Sequence, residues 1–141
     1  ELARWADLVL VAPATANSIA RITHGEADDI LTTLVLATPA PIAIAPAMNQ
    51  CMWADEQTQA NIAALDARGY TLIGPGSGEQ ACGDVGLGRL SEPEEIVTAC
   101  AALFDTGALA GRHVVITGGP TRSLEAHDSR VLRGAVLGHP N

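Results

Sequence analysis

Short apolar runs and longer amphipathic stretches succeed one another along this chain, separated by segments rich in Pro and Gly. Asp7 to Ala12 (DLVLVA) is nearly continuous in apolar residues and is closed by Pro13, the pattern of a parallel strand covered on both faces. PATAN then leads into SIARIT. After His24-Gly25, ADDILTTLVLA has the length and apolar spacing of a helix, stopped by Pro39 and Pro41. Asp28 and Asp29 at its start suit the helix dipole. Ile42 to Ala45 reads as a second buried strand, followed by a loop, PAMNQCMW.

ADEQTQANIAALDARG predicts a helix with Ile62 and Leu65 on one face and Gly69 as its stop, and Tyr70 to Ile73 predicts a third strand. GPGSGEQACGDVGLGRL has no period and is expected to be a functional loop rather than an element. Ser91 and Glu94 form an S-x-x-E capping box, and Ile96, Val97, Cys100, Leu103 and Phe104 recur on the following helical face.

Alternating strands and helices of this length imply right-handed crossovers and a three-layer α/β fold with a parallel sheet. Ligands in such folds gather beyond the carboxyl ends of the strands. PATAN, PAMNQCMW and the glycine-rich segment follow the three strands in turn, so all three are expected on one rim. Composition changes at DTGALAGR, and HVVITGGPTR reads as a new strand entering a glycine turn. A domain boundary is therefore expected near residue 107, with residues 107–122 as linker and first strand of a second domain. Residues 123–141 have no clean period.

Charge and composition narrow the function. Sixteen acidic against eight basic residues give a net charge of −8, with no basic stripe suited to a phosphate backbone, which argues against nucleic acid. The longest apolar stretches are broken by Pro and polar residues, short of the roughly 20 apolar residues of a membrane span. Three cysteines without a close pair argue against a disulfide framework and for a reducing cytoplasm. No HExxH, CxxC or clustered His/carboxylate set supports a metal.

The candidate chemistry lies in the loops. Cys82, flanked by Ala81 and Gly83, has a thiol that can donate a proton or add to carbon; the bland alternative is a packed cysteine. Cys100 falls on an apolar helix face and is expected in the core, and Cys51 receives no role. Asn49 has an amide that can orient a carboxylate, yet Asn is equally a favoured helix cap, and spacing leaves both readings open. Met48, Met52 and Trp53 fit either a pocket lining or ordinary packing. Thr15 and Asn17, at the start of a helix, can hydrogen-bond a planar heterocycle or an anion. His24 reads as a helix-end residue.

Taken in order, ELARWADLVLVAPATANSIARI, ADDILTTLVLATPAP, PAMNQCMW, ACGDVGLGRL and VVITGGPTR resemble the homo-oligomeric flavin-containing cysteine decarboxylases, over residues 1 to about 122. Within that family the match is to the phosphopantothenoylcysteine decarboxylase part of bifunctional coenzyme A biosynthesis proteins, in which it is joined to a CTP-dependent phosphopantothenate–cysteine ligase. The resemblance implies a Rossmann-like, flavodoxin-like fold, with residues 1–106 the C-terminal portion of the flavoprotein domain. It also implies FMN bound between subunits of a homotrimer-based oligomer, up to a dodecamer, and decarboxylation of 4'-phosphopantothenoylcysteine to 4'-phosphopantetheine in the cytoplasm.

Residue by residue, the resemblance makes Asn49 the asparagine that holds substrate and Cys82 a proton donor. Ala14, Thr15 and Asn17 are then the flavin-side loop, and Met52, Ala81 and Gly83 lie with Asn49 on the substrate side. It places the family's catalytic histidine two positions before Glu1, and the first βα unit upstream of the chain, which reads as N-terminally truncated. After GPTR the ligase pattern is not followed, so 123–141 reads as a divergent or frameshifted tail and no ligase activity is assigned. Two rivals remain: a non-catalytic FMN-binding regulatory subunit of the same fold, and a plain nucleotide-binding α/β module. The second has no Walker or GxGxxG pattern to support it.

Overall fold

A computed structural model of the chain describes residues 1–79, 83 and 85–104, and the backbone of residues 114–117. In chain order the elements are α1 (Leu2–Trp5), β1 (Leu8–Ala14), α2 (Ala16–His24), α3 (Ile30–Ala37), β2 (Ile42–Pro46), α4 (Gln50–Ala54) and α5 (Glu56–Ala67). There follow β3 (Thr71–Leu72), β4 (Gly76–Glu79), β5 (Val85–Arg89), α6 (Pro93–Ala102) and β6 (Val114–Thr117).

The apolar runs become strands because they are buried from both sides. Val9 and Val11 of β1, with Ile42 and Ile44 of β2, pack on Ile19 and Ile22 of α2, Leu34 and Val35 of α3, and Ile62 and Leu65 of α5. Leu8 and Leu10, with Ala43 and Ala45, face the other way, onto Ile73, Ile96 of α6, Leu103 and Phe104. With period two, a strand lying between two helical layers needs an apolar residue at every position. The result is the expected three-layer α/β arrangement.

The sheet order is β3-β2-β1-β6, all parallel, with Val9 opposite Ile42 and Ala43 opposite Thr71. Residues 114–117, expected to open a second domain, lie along the free edge of β1, with Leu8 opposite Val114 and Val11 opposite Thr117. An interior strand has backbone donors and acceptors on both edges to satisfy, and β6 supplies the second ladder. The boundary expected near residue 107 and the tail 123–141 lie outside the described residues.

Three local expectations are corrected. The glycine-rich segment is not a loop throughout: β4 and β5 form an antiparallel hairpin with Gly78 opposite Gly86 and Ser77 opposite Leu87. Glycines at alternate positions, 76 and 78 on β4 and 86 and 88 on β5, take the place of inward-facing apolar residues, so no apolar alternation announces the ribbon. The cap of α6 is Glu92 rather than Ser91, its N–H donating to Glu95 Oε2 at 3.2 Å. Pro93, with its fixed φ and missing N–H, takes the first helical position and moves the box by one residue. Val97 is exposed and not on the packed face, which comprises Ile96, Cys100, Leu103 and Phe104. Cys100 is only part-buried, and that burial raises its thiol pKa.

Asp29 does more than favour the dipole of α3. It is the N-cap, its Oδ1 accepting the Thr32 N–H at 2.8 Å, and its Oδ2 accepts from Arg21 Nη1 at 2.8 Å. Arg21 also pairs with Glu26 at 2.8 Å and with Asp28, so the end of α2 is tied to the start of α3. The Thr32 backbone N–H, then the Thr32 hydroxyl, then Arg21 hold the Asp29 carboxyl below its ordinary pKa. A carboxyl lowered by folding stabilises the fold fully above the ordinary aspartate value of about 4 and loses that contribution as pH falls through the folded value. Asp29→Asn, which keeps a capping oxygen, is therefore expected to lower the thermal midpoint at neutral pH. The difference from wild type should narrow below about pH 4 and vanish in stronger acid, read by melting curves across pH.

Candidate functional site

The carboxyl ends of β1, β2 and β3 open on one side of the sheet, and the segments leaving them are tied together by backbone hydrogen bonds. Ala47 N–H donates to Ala14 O at 2.9 Å, joining the exits of β1 and β2. Met48 N–H donates to Gly88 O at 2.8 Å, joining the exit of β2 to the hairpin that follows β3. The three segments expected to share a rim are thus connected among the described residues.

On the β1 side, Ala14 is buried at the strand end and Thr15 is the N-cap of α2. Thr15 Oγ1 accepts the Ser18 N–H at 3.1 Å, and Ser18 Oγ accepts the Thr15 N–H at 3.2 Å. This reciprocal box satisfies the third N–H of the helix; the N–H groups of Ala16 and Asn17 precede any intrahelical acceptor by position. Asn17 is exposed on the first turn. A helix start with such donors, an exposed amide and a hydroxyl suits a polar or anionic group lying across the rim.

On the β2 side, the second half of PAMNQCMW is helical. Asn49 caps α4, its Oδ1 accepting the Cys51 N–H at 2.8 Å and its carbonyl accepting the Trp53 N–H at 2.9 Å. The capping reading of Asn49 is therefore present in the structure, on this short helix; the longer α5 is capped by Asp55. Asn49 lies on the rim at intermediate exposure. Met48 and Trp53 pack against the core, whereas Met52 is 48% exposed and Cys51 is exposed.

On the hairpin side, Gly83 is exposed in the left-handed region at φ 84°, a conformation that favours glycine. Ala81 and Cys82 lie outside the described residues. Gly86 and Gly88 of β5 face the Asn49 turn: Gly88 accepts from Met48, and a Cβ at Gly86 would overlap the Gln50 side chain. Sequence reasoning did not single out Gln50, Gly86 or Gly88. The glycine spacing in GDVGLGR was the available signal.

A separate concavity of about 630 Å³ lies between α1 and the start of α3, lined by Leu2, Ala3, Ile30, Thr33, Leu34 and Ala37 among others. Among the described residues, none of the expected site residues borders it. Among the described residues, no group of three or more His, Cys, Asp or Glu is placed to hold a metal ion, and no helix is long and apolar enough to cross a membrane. His24 ends α2, its Nδ1 within 2.7 Å of Ala20 O.

Comparison with known proteins gives this rim a context. The Flavoprotein family model matches residues 1–105. The coenzyme A biosynthesis bifunctional protein CoaBC of Vibrio cholerae is 59% identical over 122 residues, 86% of this chain and 31% of that protein. Its Escherichia coli counterpart is 50% identical over 123 residues, 86% of this chain and 30% of that protein. The chain thus spans under a third of the length of these curated relatives. Among solved structures, a Cys-to-Ser mutant of PPC decarboxylase complexed with pantothenoylaminoethenethiol superposes with a TM-score of 0.72 at 37% identity, covering 74% of this chain and 58% of the other. The FMN binding protein AtHal3 gives 0.68 at 37% identity, with the same coverage.

Proposed function

Because the chain belongs to the Flavoprotein family, we propose that it forms the rim of an FMN-dependent decarboxylase acting on 4'-phosphopantothenoylcysteine, as part of a coenzyme A biosynthesis protein. The observation that carries this reading is the joining of three rim segments, PATAN, PAMNQ and GLG, through Ala14–Ala47 and Met48–Gly88. They are the segments whose motifs carry the family resemblance.

The residues present fit a flavin. The start of α2, at the end of β1 where Ala14 is buried in the core, presents the exposed Thr15 and Asn17 polar groups. When bound, FMN supplies an electron acceptor for the substrate thiol, without which loss of CO2 from a cysteine-type carboxylate would leave an unstabilised carbanion.

The chain's own residues have other tasks. Asn49 orients the substrate carboxylate through its amide while its Oδ1 holds the start of α4, so the group that binds is fixed by the cap it makes. Met52, exposed on the rim, offers apolar contact, and Gly83 with Ala81 borders Cys82. Cys82 donates the proton that completes the product. The working unit is a homotrimer-based oligomer.

The test is a chimera in which the matched segment of the Vibrio cholerae protein is replaced by this chain's. It is expected to purify yellow, with flavin absorbance, and to release CO2 from 4'-phosphopantothenoylcysteine. A chimera that folds but binds no flavin or releases no CO2, beside an active Vibrio parent, overturns the reading.

A further inference from the structure

We infer that Gly86 and Gln50 form a seat that fixes the β4–β5 hairpin across the Asn49 turn, making them positioning residues for the proposed reaction. Asn49 is held on both sides by one strand. On its N-terminal side, Met48 N–H donates to Gly88 O at 2.8 Å; on its C-terminal side, the Gln50 side chain lies in the space left by the missing side chain of Gly86. Both contacts come from β5: Gly88, where the hairpin register shifts, reaches the turn with its backbone carbonyl, and Gly86 reaches it with its bare Cα.

A side chain at Gly86 would require Gln50 to shift. A Cβ there would overlap Gln50 Oε1 and stand 3.0 Å from its Cδ and 3.2 Å from its Cβ. Gln50 Cβ is fixed to α4, so a side chain at position 86 displaces the Gln50 side chain from the seat or lifts β5 from the turn. Gly86 has no positive φ, so its requirement is space rather than backbone freedom. Gly88, at φ 133°, needs glycine for its backbone as well. The strand thereby sets the height and angle of the Asn49 turn, and small errors in placing a binding amide are costly in rate.

The seat is tested by amide hydrogen exchange at Met48 in this chain. Gly86→Ala is expected to speed Met48 exchange by about tenfold or more, through local opening of the Met48–Gly88 bond. Gly86→Ala with Gln50→Ala, which removes Oε1 and Cδ, is expected to restore most of the protection. Val85→Ala, altering a side chain that is 71% exposed on the opposite face of β5, should leave it unchanged. Unaltered Met48 exchange in Gly86→Ala, or a double variant no better than the single, overturns the seat.

The positioning role rests on the decarboxylase reading and is tested in the chimera. There Gly86→Ala should lower kcat/KM by about tenfold with little change in thermal midpoint, and Gln50→Ala should rescue it. Altered exchange with unaltered kcat/KM overturns the positioning role. An inactive wild-type chimera would fail the decarboxylase reading, while the exchange experiment would still decide the seat.

Discussion

Cys82→Ser in the chimera is expected to uncouple CO2 release from product formation. If Cys82 supplies the last proton, the steps before it need no thiol, and CO2 should still be released in a first turnover. A serine hydroxyl, with a pKa far above the thiol's roughly 8.5, is a much poorer donor, and loss of a general acid typically costs about 10²- to 10⁴-fold. The expected result is a single burst of CO2, 4'-phosphopantetheine formation down by at least about a hundredfold, and a decarboxylated enethiol retained on the protein. A solved neighbour pairs these features: it is a Cys-to-Ser mutant of PPC decarboxylase, complexed with pantothenoylaminoethenethiol. Single-turnover CO2 release measured beside mass spectrometry of the bound product checks the prediction. Normal product formation, or loss of CO2 release and product together, would remove Cys82 from the proton-donating role.

Much of the fold was legible in the sequence because burial on two faces leaves an unbroken mark. LVLVA (residues 8–12) and IAIA (residues 42–45) carry apolar residues at every position, and both proved to be strands between helical layers. The hairpin carries no such mark. Its inward-facing positions are largely glycines, and apolar periodicity cannot register them. At α6, the sequence pointed to a Ser91–Glu94 box, and the fixed ring of Pro93 set the start one residue later, at Glu92. At the site, the parts were legible and their joining was not. Asn49 read equally as cap or ligand, and nothing in its spacing announced that α4 exists to be capped. The seat between Gly86 and Gln50 depends on two segments far apart in the chain, and only the fold brings them together. The meaning of Cys82 continues to rest on the resemblance that its motif carries.

Asn49 offers the sharper experiment because the cap it makes and the substrate-holding role proposed for it can be separated by choice of substitution. Asn, Asp and Ser cap helices about equally well, so Asn49→Asp and Asn49→Ser should preserve the bond to Cys51 N–H and the start of α4. If capping is all that Asn49 does, both variants should work at nearly the wild-type rate. If its amide also donates to the substrate carboxylate, Asn49→Ser loses that donor, and a hydrogen bond to a charged group is worth about 1.5–3 kcal/mol, or roughly 10- to 100-fold. Asn49→Asp goes further, setting a carboxylate against a carboxylate, and like charges at close range repel. We expect kcat/KM in the chimera to fall by about 10- to 100-fold in Asn49→Ser and by more than about 100-fold in Asn49→Asp, with KM raised in the latter and the melting temperature little changed in either. Lowering the pH should then partly rescue Asn49→Asp, since protonating its new carboxyl removes the repulsion and restores a donor, whereas Asn49→Ser should show no such recovery. Equal and pH-independent activity in both variants would leave Asn49 as a cap alone.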